Sequence, residues 1–426
     1  MLTHLAIALV RSILTYGQEV YFSASKSLLK RIESLDARAL KIALGVPIHT
    51  SNKKVYNATN ILPLDDFRKQ SCAKYIARAN KSDSFNLTEL SLKSDMHYPK
   101  RAQNISYLQS IASYVKDVFS DKNISEPIDN FIPPAPPWEL NKATFDIFHS
   151  TTRKQDNIHL LACETREHLE KNYFNSLKVF TDGSLCESGD TGAGFVIPAL
   201  NINKSYYLGK NHSIFTAELI AILMALITLV AIPRQIFDVV LCVDSQSVLQ
   251  SLNSNNPKER QEIIYEIKHN ISILIHNGSN VQFCWVPSHC GLLQNDYADF
   301  AAKRGAKNVK SDTIEIPYST REKYHIIENQ FRTKSNSSVF GIIKGQTRRI
   351  SSLALRLYLN AWRTKFCKDI FCSCKEMITL DHVIFNCKDF EHLRELIKVS
   401  NIKEIELKEW VNISIAIIET PIEQYL

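Results

Sequence analysis

The sequence lacks several features that define common classes of protein. The apolar stretch at residues 2–10 has neither a charged segment before it nor a small-residue cleavage site after it, so no secretory signal peptide is predicted. The ten cysteines stand at irregular spacing, which argues against a disulfide framework and favours a reducing compartment. No internal repeat occurs, which excludes repeat architectures. We therefore expect an intracellular protein, cytoplasmic or nuclear, and not a secreted one.

The bulk composition is that of a globular protein of two to three domains. The 426 residues are 45% hydrophobic and 22% charged, and the net charge of +7 suits an anionic partner without requiring one. One apolar segment, Ile214–Ile232, approaches the length that spans a bilayer. Glu218 lies inside it and strand-like segments flank it, so a buried helix is favoured and no membrane partner is expected.

The segment 173–310 alternates between strand and helix patterns. Three strands come first without helices, so they are expected to form an antiparallel meander, and two later strands alternate with helices. This pattern predicts an α/β domain. The predicted strands are Leu177–Thr181, Gly192–Ile197, Ser205–Gly209, Asp238–Val243 and Val281–Val286.

The flanking segments have other patterns, and they complete a predicted plan of four parts. Residues 1–95 are predicted to be helical, with one helix that starts after Ser25 and stops at Gly45. Residues 96–172 are predicted to be a linker that is Pro-rich at 133–138. Residues 311–426 are predicted to form a mostly helical and polar tail.

Four carboxylates stand in distinctive settings within the α/β segment. Asp182 follows a short apolar strand, Glu218 lies near the start of an apolar helix, and Asp244 ends a second strand, while Asp299 lies within the last helix. Each has an ordinary alternative role, as a turn acid, a helix cap or a solvated helix residue. Hard oxygen ligands are those that Mg²⁺ prefers, so the set as a whole favours a divalent metal held against a phosphodiester.

The motifs around these acids resemble a known family. Residues 177–306 carry, in order, Phe180-Thr-Asp-Gly-Ser184, Thr216-Ala-Glu-Leu219, Val243-Asp-Ser-Gln246, Trp285-Val-Pro-Ser-His-Cys-Gly291 and Asn295-Asp-Tyr-Ala-Asp299. Together they resemble the ribonuclease H type-1 domain, in particular that of non-LTR (LINE-like) retrotransposon polyproteins. The resemblance implies a five-stranded mixed sheet flanked by helices, and the residue patterns predict helical regions before and after it. It also implies hydrolysis of the RNA strand of RNA–DNA hybrids with two Mg²⁺ ions, for which Mn²⁺ can substitute.

The resemblance also assigns residues to roles. Asp182, Glu218, Asp244 and Asp299 would be the catalytic metal ligands, and His289, on a loop, would assist proton transfer or product release. The matching substrate-binding positions are Gly183, Ser184, Ser245 and Gln246. A basic, Trp-rich protrusion that cellular members use to hold hybrid is not found at 252–262, where only Lys258 and Arg260 are basic. We therefore expect weak substrate affinity from this domain alone.

The N-terminal part resembles a retroelement segment as well. Leu9-Val-Arg-Ser-Ile-Leu-Thr-Tyr-Gly17 and Ala37-Arg-Ala-Leu-Lys-Ile-Ala-Leu-Gly45 resemble the helical segment that follows a reverse transcriptase palm. No aspartate pair lies in an apolar hairpin, so no polymerase palm is predicted. The chain is expected to be the C-terminal part of such an element, with a reverse transcriptase encoded separately or upstream.

A cysteine and histidine cluster stands near the C-terminus. Cys372, Cys374, His382 and Cys387 have the ligand types of a tetrahedral Zn²⁺ site and resemble the zinc-finger-like tail of these polyproteins. The alternative is that the cysteines are small buried hydrophobic residues, and Cys367 is a spare thiol. The arginines ahead of the cluster could contact phosphates or form a solvated helix face; they are Arg348, Arg349, Arg356 and Arg363.

Two functions follow from these observations. The first is an endoribonuclease of retrotransposon origin that acts on RNA–DNA hybrids. The second is a nucleic-acid-binding remnant that keeps the fold but has lost catalysis.

Overall fold

The structure is a computed structural model, and the residues it describes form two compact units. The described residues are 2–79, 107–119, 136, 140, 142–147, 157–232, 238–308, 311–332, 345–359, 361, 374–376, 379–396, 402 and 405–418. One unit comprises Met1–Ala79, Asn86–Asp121 and Ile327–Leu426, and the other comprises Asn80–Phe85 and Lys122–Ile326.

Helices account for most of the described regular structure. In chain order they are α1 (Leu2–Leu5), α2 (Ser12–Thr15), α3 (Lys26–Leu44), α4 (Asn52–Thr59), α5 (Leu64–Ala79), α6 (Tyr107–Phe119), α7 (Ile158–Asn172), α8 (Ile214–Val230), α9 (Gln246–Asn253), α10 (Gln261–His276), α11 (Leu293–Ala306), α12 (Thr320–Phe331), α13 (Arg348–Tyr358) and α14 (Leu407–Ile418). Ala6–Arg11 and His382–Asn386 are π-helical, and Pro198–Leu200 and Lys388–Leu396 are 3₁₀-helical.

The strands form one mixed sheet in the second unit. They are β1 (Thr144–Ile147), β2 (Leu177–Leu185), β3 (Asp190–Ile197), β4 (Ile202–Lys210), β5 (Val239–Val243), β6 (Val281–Trp285) and β7 (Asp312–Thr313). The strand order is β1-β6-β5-β2-β3-β4-β7. Strands β2, β3 and β4 pair antiparallel, whereas β5 and β6 extend the sheet in parallel. The predicted meander is therefore confirmed.

In the part of the chain that the structure describes, the sheet has seven strands, whereas the sequence predicts five. The two additional strands are short and lie at the edges: β1 pairs parallel with β6, and β7 pairs parallel with β4. Strand β1 has only four residues and β7 only two, which is too short for the alternation of apolar and polar residues that reveals a strand. Strand β1, together with α6 and α7, lies within 96–172, for which the sequence predicts a linker.

Apolar side chains cover both faces of this sheet. Val179, Leu241 and Phe283 belong to a core with α8, α9 and α10, while their neighbours Phe180, Val240 and Cys284 belong to a core with α7 and α11. The alternation follows from the two-residue period of a strand. Helix α8 is apolar because it is buried against the sheet. Among the described residues, no helix combines the length and apolarity needed to cross a membrane.

The first unit is helical, as predicted, and its capping residues are readable in the sequence. Ser25 caps α3 by accepting a hydrogen bond from Leu28 N, and Gly45 ends the helix with a φ of 72°. The unit's core joins α3, α4, α13 and α14, and Trp410 is its largest fully buried side chain. Arg11 and Asp36 form a buried ion pair at 2.6 Å. Asp36 Oδ2 also accepts a hydrogen bond from the Tyr56 hydroxyl.

The backbone of α11 lies unusually close to β3, because glycines face it there. A Cβ atom on Gly194 would stand 2.3 Å from Ala302 N, and one on Gly192 would stand 2.0 Å from Ala306 N. Both distances are impossible, so the helix can lie this close only over glycine. Since α11 carries Asp299, these two positions set the distance of that carboxylate from the sheet.

We predict that Gly194→Ala lowers the free energy of unfolding by at least about 2 kcal/mol, because the added methyl group must push α11 away from β3. Urea denaturation of the full chain measures the change. Lys204→Ala, at an exposed position on the neighbouring strand β4, is the control and should change stability little. An equal and small effect of both substitutions would contradict the close packing.

Candidate active site

Two of the four predicted acids lie on adjacent parallel strands. Thr181 of β2 pairs in register with Val243 of β5, and each is followed directly by an aspartate. Asp182 is 7% exposed, and its Oδ1 accepts a hydrogen bond from Gly183 N at 2.8 Å. Asp244 stands at the end of β5, before the helix α9. The sheet thus brings Asp182 and Asp244 side by side.

Helix α8 brings the third acid to the same place. Ser213 caps the helix by accepting a hydrogen bond from Thr216 N, and Glu218 follows in the next turn, where it is 3% exposed. A Cβ on Gly183 would stand 2.7 Å from Glu218 N, so glycine is required for β2 to approach α8. One ligand atom from each of Asp182, Glu218 and Asp244 lies within 4.8 Å of the other two.

The crowding of these carboxylates perturbs their ionisation. Burial first, and then the charge of Asp244, raise the pKa of Asp182 to about 7. Burial and the charges of Asp182 and Asp244 raise the pKa of Glu218 well above its ordinary value. Burial also raises the pKa of Asp244, against the lowering effect of His289. Without a cation, the three groups therefore resist full ionisation.

The fourth acid, Asp299, lies beside this group on α11. Its Oδ2 forms an ion pair with Lys303 Nζ at 2.7 Å and lies 3.9 Å from His289 Nδ1. Its charge contributes to the raised pKa values of Asp182 and Asp244. His289 has a φ of 48° and its side chain is 63% exposed, so it reaches the site from the solvent side.

The donor set fits a hard divalent cation. All the ligand atoms are carboxylate oxygens, which Mg²⁺ prefers. Oε2 of Glu218 is buried and has no hydrogen-bond partner, although a buried carboxylate oxygen normally has one. A cation between the three carboxylates would satisfy that oxygen and remove the repulsion among them.

The predicted substrate-binding residues surround one side of the acids. Gly183 and Ser184 continue β2 beyond Asp182, while Ser245 occupies the N-cap position of α9 and the exposed Gln246 begins the helix. An open groove of about 630 Å³ follows the same helix. Most of the residues that line it carry hydroxyl, amide or charged groups: Ser213, Phe215, Ser247, Gln250, Ser251, Ser254, Asn256, Pro257, Lys258, Glu259 and Arg321.

The sequence assigns no role to two further residues of the site, Asn295 and Lys303. The side chain of Asn295 hydrogen bonds to Asp244 and helps to lower the pKa of that group, while its own Oδ1 is buried without a partner. Lys303 pairs with Asp299 four residues earlier on the same helix face, a spacing that the sequence does show. The contact of Asn295 depends on the fold, and no local pattern predicts it.

A second cluster of metal-ligand type lies in the first unit. Cys374 Sγ stands 3.1 Å from His382 Nε2 and 4.0 Å from Cys387 Sγ, and Glu376 Oε2 lies 2.7 Å from His382 Nδ1. Cys372 and Cys367 lie outside the described residues. Cys374 is disulfide-bonded in the structure, so its sulfur would have to be reduced before it could bind zinc.

Two of the arginines near this cluster make contacts inside the first unit. Arg348 donates to the carbonyl oxygens of Ile42 and Ala43, and Arg356 Nε donates to that of Gly45 at 2.8 Å. These carbonyls end α3, where a helix dipole favours cations. Arg363 lies outside the described residues.

We predict that Asp182→Asn stabilises the metal-free protein at pH 8 by about 2–4 kcal/mol. The folded pKa of about 7 exceeds that of an unfolded aspartate, so the folded state loses stability as the pH rises from about 4 to 7. The amide side chain of the variant cannot ionise, so the variant does not lose this stability. Thermal melting of the full chain in EDTA, from pH 4 to pH 8, measures it.

The matched control is Asp238→Asn, an exposed aspartate just before β5. It should follow the wild-type pH dependence. A difference between Asp182→Asn and wild type that stays constant between pH 4 and pH 8 would contradict the raised pKa.

Comparison with known protein families finds a match to the segment that carries these acids. Residues 175–307 match the RNase H family, and this range contains all four acids. Among solved structures, RNase H1 from the halophilic archaeon Halobacterium salinarum NRC-1 is 18% identical; the match covers 32% of this chain and 99% of that one, with a TM-score of 0.26. No curated protein matches the chain. Residues 175–307 therefore carry an RNase H domain, and their mixed sheet between helices has an RNase H-like fold.

Proposed function

We propose that the chain is an endoribonuclease that hydrolyses the RNA strand of RNA–DNA hybrids. The observation that carries the proposal is the convergence of Asp182, Glu218 and Asp244 within 4.8 Å, inside the segment that matches RNase H. Carboxylates with raised pKa values and an unsatisfied buried oxygen suit a site built for a cation. A divalent cation held in such a site suits chemistry on a phosphodiester.

Asp182, Glu218 and Asp244 would hold Mg²⁺, with Asp299 completing the ligand set, and we propose two ions at this site. When bound, Mg²⁺ lowers the pKa of a coordinated water and neutralises charge on the phosphodiester. Mn²⁺, which accepts the same oxygen ligands, could substitute. Lys303 would orient Asp299, and Asn295 would orient Asp244, through the contacts described above.

The exposed histidine is placed to exchange protons with solvent. His289 lies 3.9 Å from Asp299 and extends from the loop between β6 and α11. A side chain that is 63% exposed can take a proton at the site and release it to water. We propose that His289 assists proton transfer or product release in this way.

The nucleic acid would lie along α9 and the groove beside it. The hydroxyl and amide groups of Ser184, Ser245 and Gln246 can contact sugar and base edges, and those of the groove can contact phosphates. Lys258 and Arg321 supply positive charge there, although Glu259, 3.0 Å from Arg321, partly offsets it. Modest affinity for hybrid is expected from so small a positive charge.

We also propose a retrotransposon origin, with a reverse transcriptase encoded separately or upstream. The order of the five motifs in the RNase H segment and the two motifs at Leu9–Gly17 and Ala37–Gly45 support it. In that setting the enzyme would remove template RNA during reverse transcription.

We predict that the full chain cleaves a labelled RNA–DNA hybrid with Mg²⁺, and that Asp182→Asn and Glu218→Gln each lower the rate by at least about a hundredfold. Each substitution removes a metal ligand with little change in shape. Asp238→Asn should keep wild-type activity, and EDTA should abolish cleavage.

Single-stranded RNA is the substrate control and should survive. If the folded wild-type chain binds hybrid but never cleaves it, with either Mg²⁺ or Mn²⁺, the protein is a nucleic-acid-binding remnant instead. Cleavage by Asp182→Asn at the wild-type rate would contradict the proposed site.

We further propose that the reduced C-terminal cluster binds zinc. Cys374, His382 and Cys387 supply three ligands, and Cys372 is proposed as the fourth. Glu376 beside His382 Nδ1 would fix the histidine so that Nε2 faces the metal. Such a site would stabilise this part of the first unit.

We predict that the reduced protein retains about one zinc ion per chain and that Cys387→Ser loses it, because a hydroxyl is a poor substitute for a thiolate. Elemental analysis after dialysis measures the content. Cys163→Ser, which changes an exposed free cysteine, should retain the metal. Zinc-free wild-type protein, prepared reduced and with zinc supplied, would contradict the site.

A further inference from the structure

A carboxylate from beyond the RNase H match is buried against the start of α8. Glu322 lies in the first turn of α12, after the match ends at residue 307, and is 2% exposed. It belongs to the same compact unit as the sheet. A fully buried acid needs partners that compensate for its lost hydration, and this one has several.

Glu322 caps two helices at once. In its own helix it forms a capping box: Ser319 N donates to its Oε2 at 3.0 Å, and Ser319 Oγ accepts from Glu322 N at 3.2 Å. Its Oε1 accepts from Ser213 N at 2.7 Å and from the Thr216 hydroxyl at 2.8 Å. Ser213 is the N-cap of α8, so the carboxylate fixes the residue at which that helix begins.

Arg260 supplies the opposite charge. Its guanidinium donates to Glu322 Oε2, its Nε donates to the Thr216 hydroxyl at 3.0 Å, and a further nitrogen donates to Pro317 O at 2.7 Å. The residue is 5% exposed and has a φ of 51°, an uncommon backbone conformation for a side chain of this size. Arg260 is therefore directed into the interior and is not available to hold nucleic acid.

His212 completes the network. Its Nδ1 lies 3.4 Å from Glu322 Oε2, and its ring stacks on Tyr318 with centroids 4.7 Å apart. Burial alone would raise the pKa of Glu322, but the hydrogen bond with His212 and the charge of Arg260 lower it to about 2. The carboxylate is thus ionised at neutral pH and holds all of these donors.

The network ends two residues from a proposed metal ligand. Thr216, which contacts both Glu322 and Arg260, precedes Glu218 by two positions on α8. On its other side, the Glu218 backbone lies against Gly183, the neighbour of Asp182. A shift of the first turn of α8 would therefore move Glu218 relative to Asp182 and weaken the binding of a metal that both residues hold.

A buried ion pair is weak support for stability by itself, since apolar residues of similar volume are often as stabilising. Its specific effect is to fix geometry, because Glu322 holds Ser213 N, the Thr216 hydroxyl and the Arg260 guanidinium at once. We propose that Glu322, outside the RNase H match, is a positioning residue that fixes the start of α8 and so sets Glu218 against Asp182 and Asp244 for metal binding. This inference rests on the proposed function of those acids.

The test is the affinity of the full chain for Mn²⁺ alone, measured by titration calorimetry. Glu322→Gln keeps the shape but loses the charge, and it is expected to weaken binding about 10- to 100-fold. Glu315→Gln, an exposed position in the same segment, is the matched control and should bind as wild type does. Near-UV circular dichroism confirms the native fold of each variant.

A double-mutant cycle separates positioning from a general loss of stability. If Glu322 acts through Glu218, adding Glu322→Gln to Glu218→Gln should weaken Mn²⁺ binding by much less than it does in the wild-type background. Wild-type affinity in a folded Glu322→Gln protein, or the full additional loss in the double variant, would overturn the inference.

Thr216→Val provides a second route if Glu322→Gln does not fold. It removes the hydroxyl that joins α8 to the ion pair but leaves both charges in place. It is expected to weaken Mn²⁺ binding severalfold, and unchanged affinity would overturn the inference. Absence of Mn²⁺ binding by the wild-type protein would instead overturn the proposed function together with it.

Discussion

The burial of three carboxylates beside one another is the constraint on which the rest of the site depends. Asp182, Glu218 and Asp244 come from two strands and a helix, and their ligand atoms lie within 4.8 Å of one another. Left alone, such groups would separate or take up protons. Burial raises the pKa of all three, and the charges of neighbouring acids add to the shift. The fold must therefore hold them in place, and close packing is how it does so.

Glycine makes that close packing possible on both faces of the sheet. Gly183 lets β2 approach the backbone of α8 at Glu218, and Gly194 lets β3 approach the backbone of α11. The two helices that carry Glu218 and Asp299 are thus positioned by backbone contact, which varies less than contact between long side chains. The network around Glu322 adds a third constraint, at the first turn of α8.

The sequence predicts the central strands and the four acids better than it predicts the edge strands. The five longer strands have five or more residues with clear apolar patterning, and the four acids lie in motifs whose order identifies them. The sequence does not predict strands β1 and β7, because they have too few residues to show a period. It does not predict the contacts of Glu322 either. Ser319-Thr-Arg-Glu322 is readable as a helix start, but its contact with Ser213 joins residues 109 positions apart, and only the fold determines it. The burial of Arg260 is likewise not predictable from the sequence, because its sequence context suggests an exposed cation.

If the three carboxylates form a divalent cation site, metal binding must release protons from them. Calorimetric titration of the full chain with Mg²⁺ at pH 7, in two buffers of different ionisation enthalpy, measures that release. Binding should displace a substantial fraction of a proton, since the pKa of Asp182 is raised to about 7. Binding without proton release would contradict the raised pKa, and no binding at all would contradict the site.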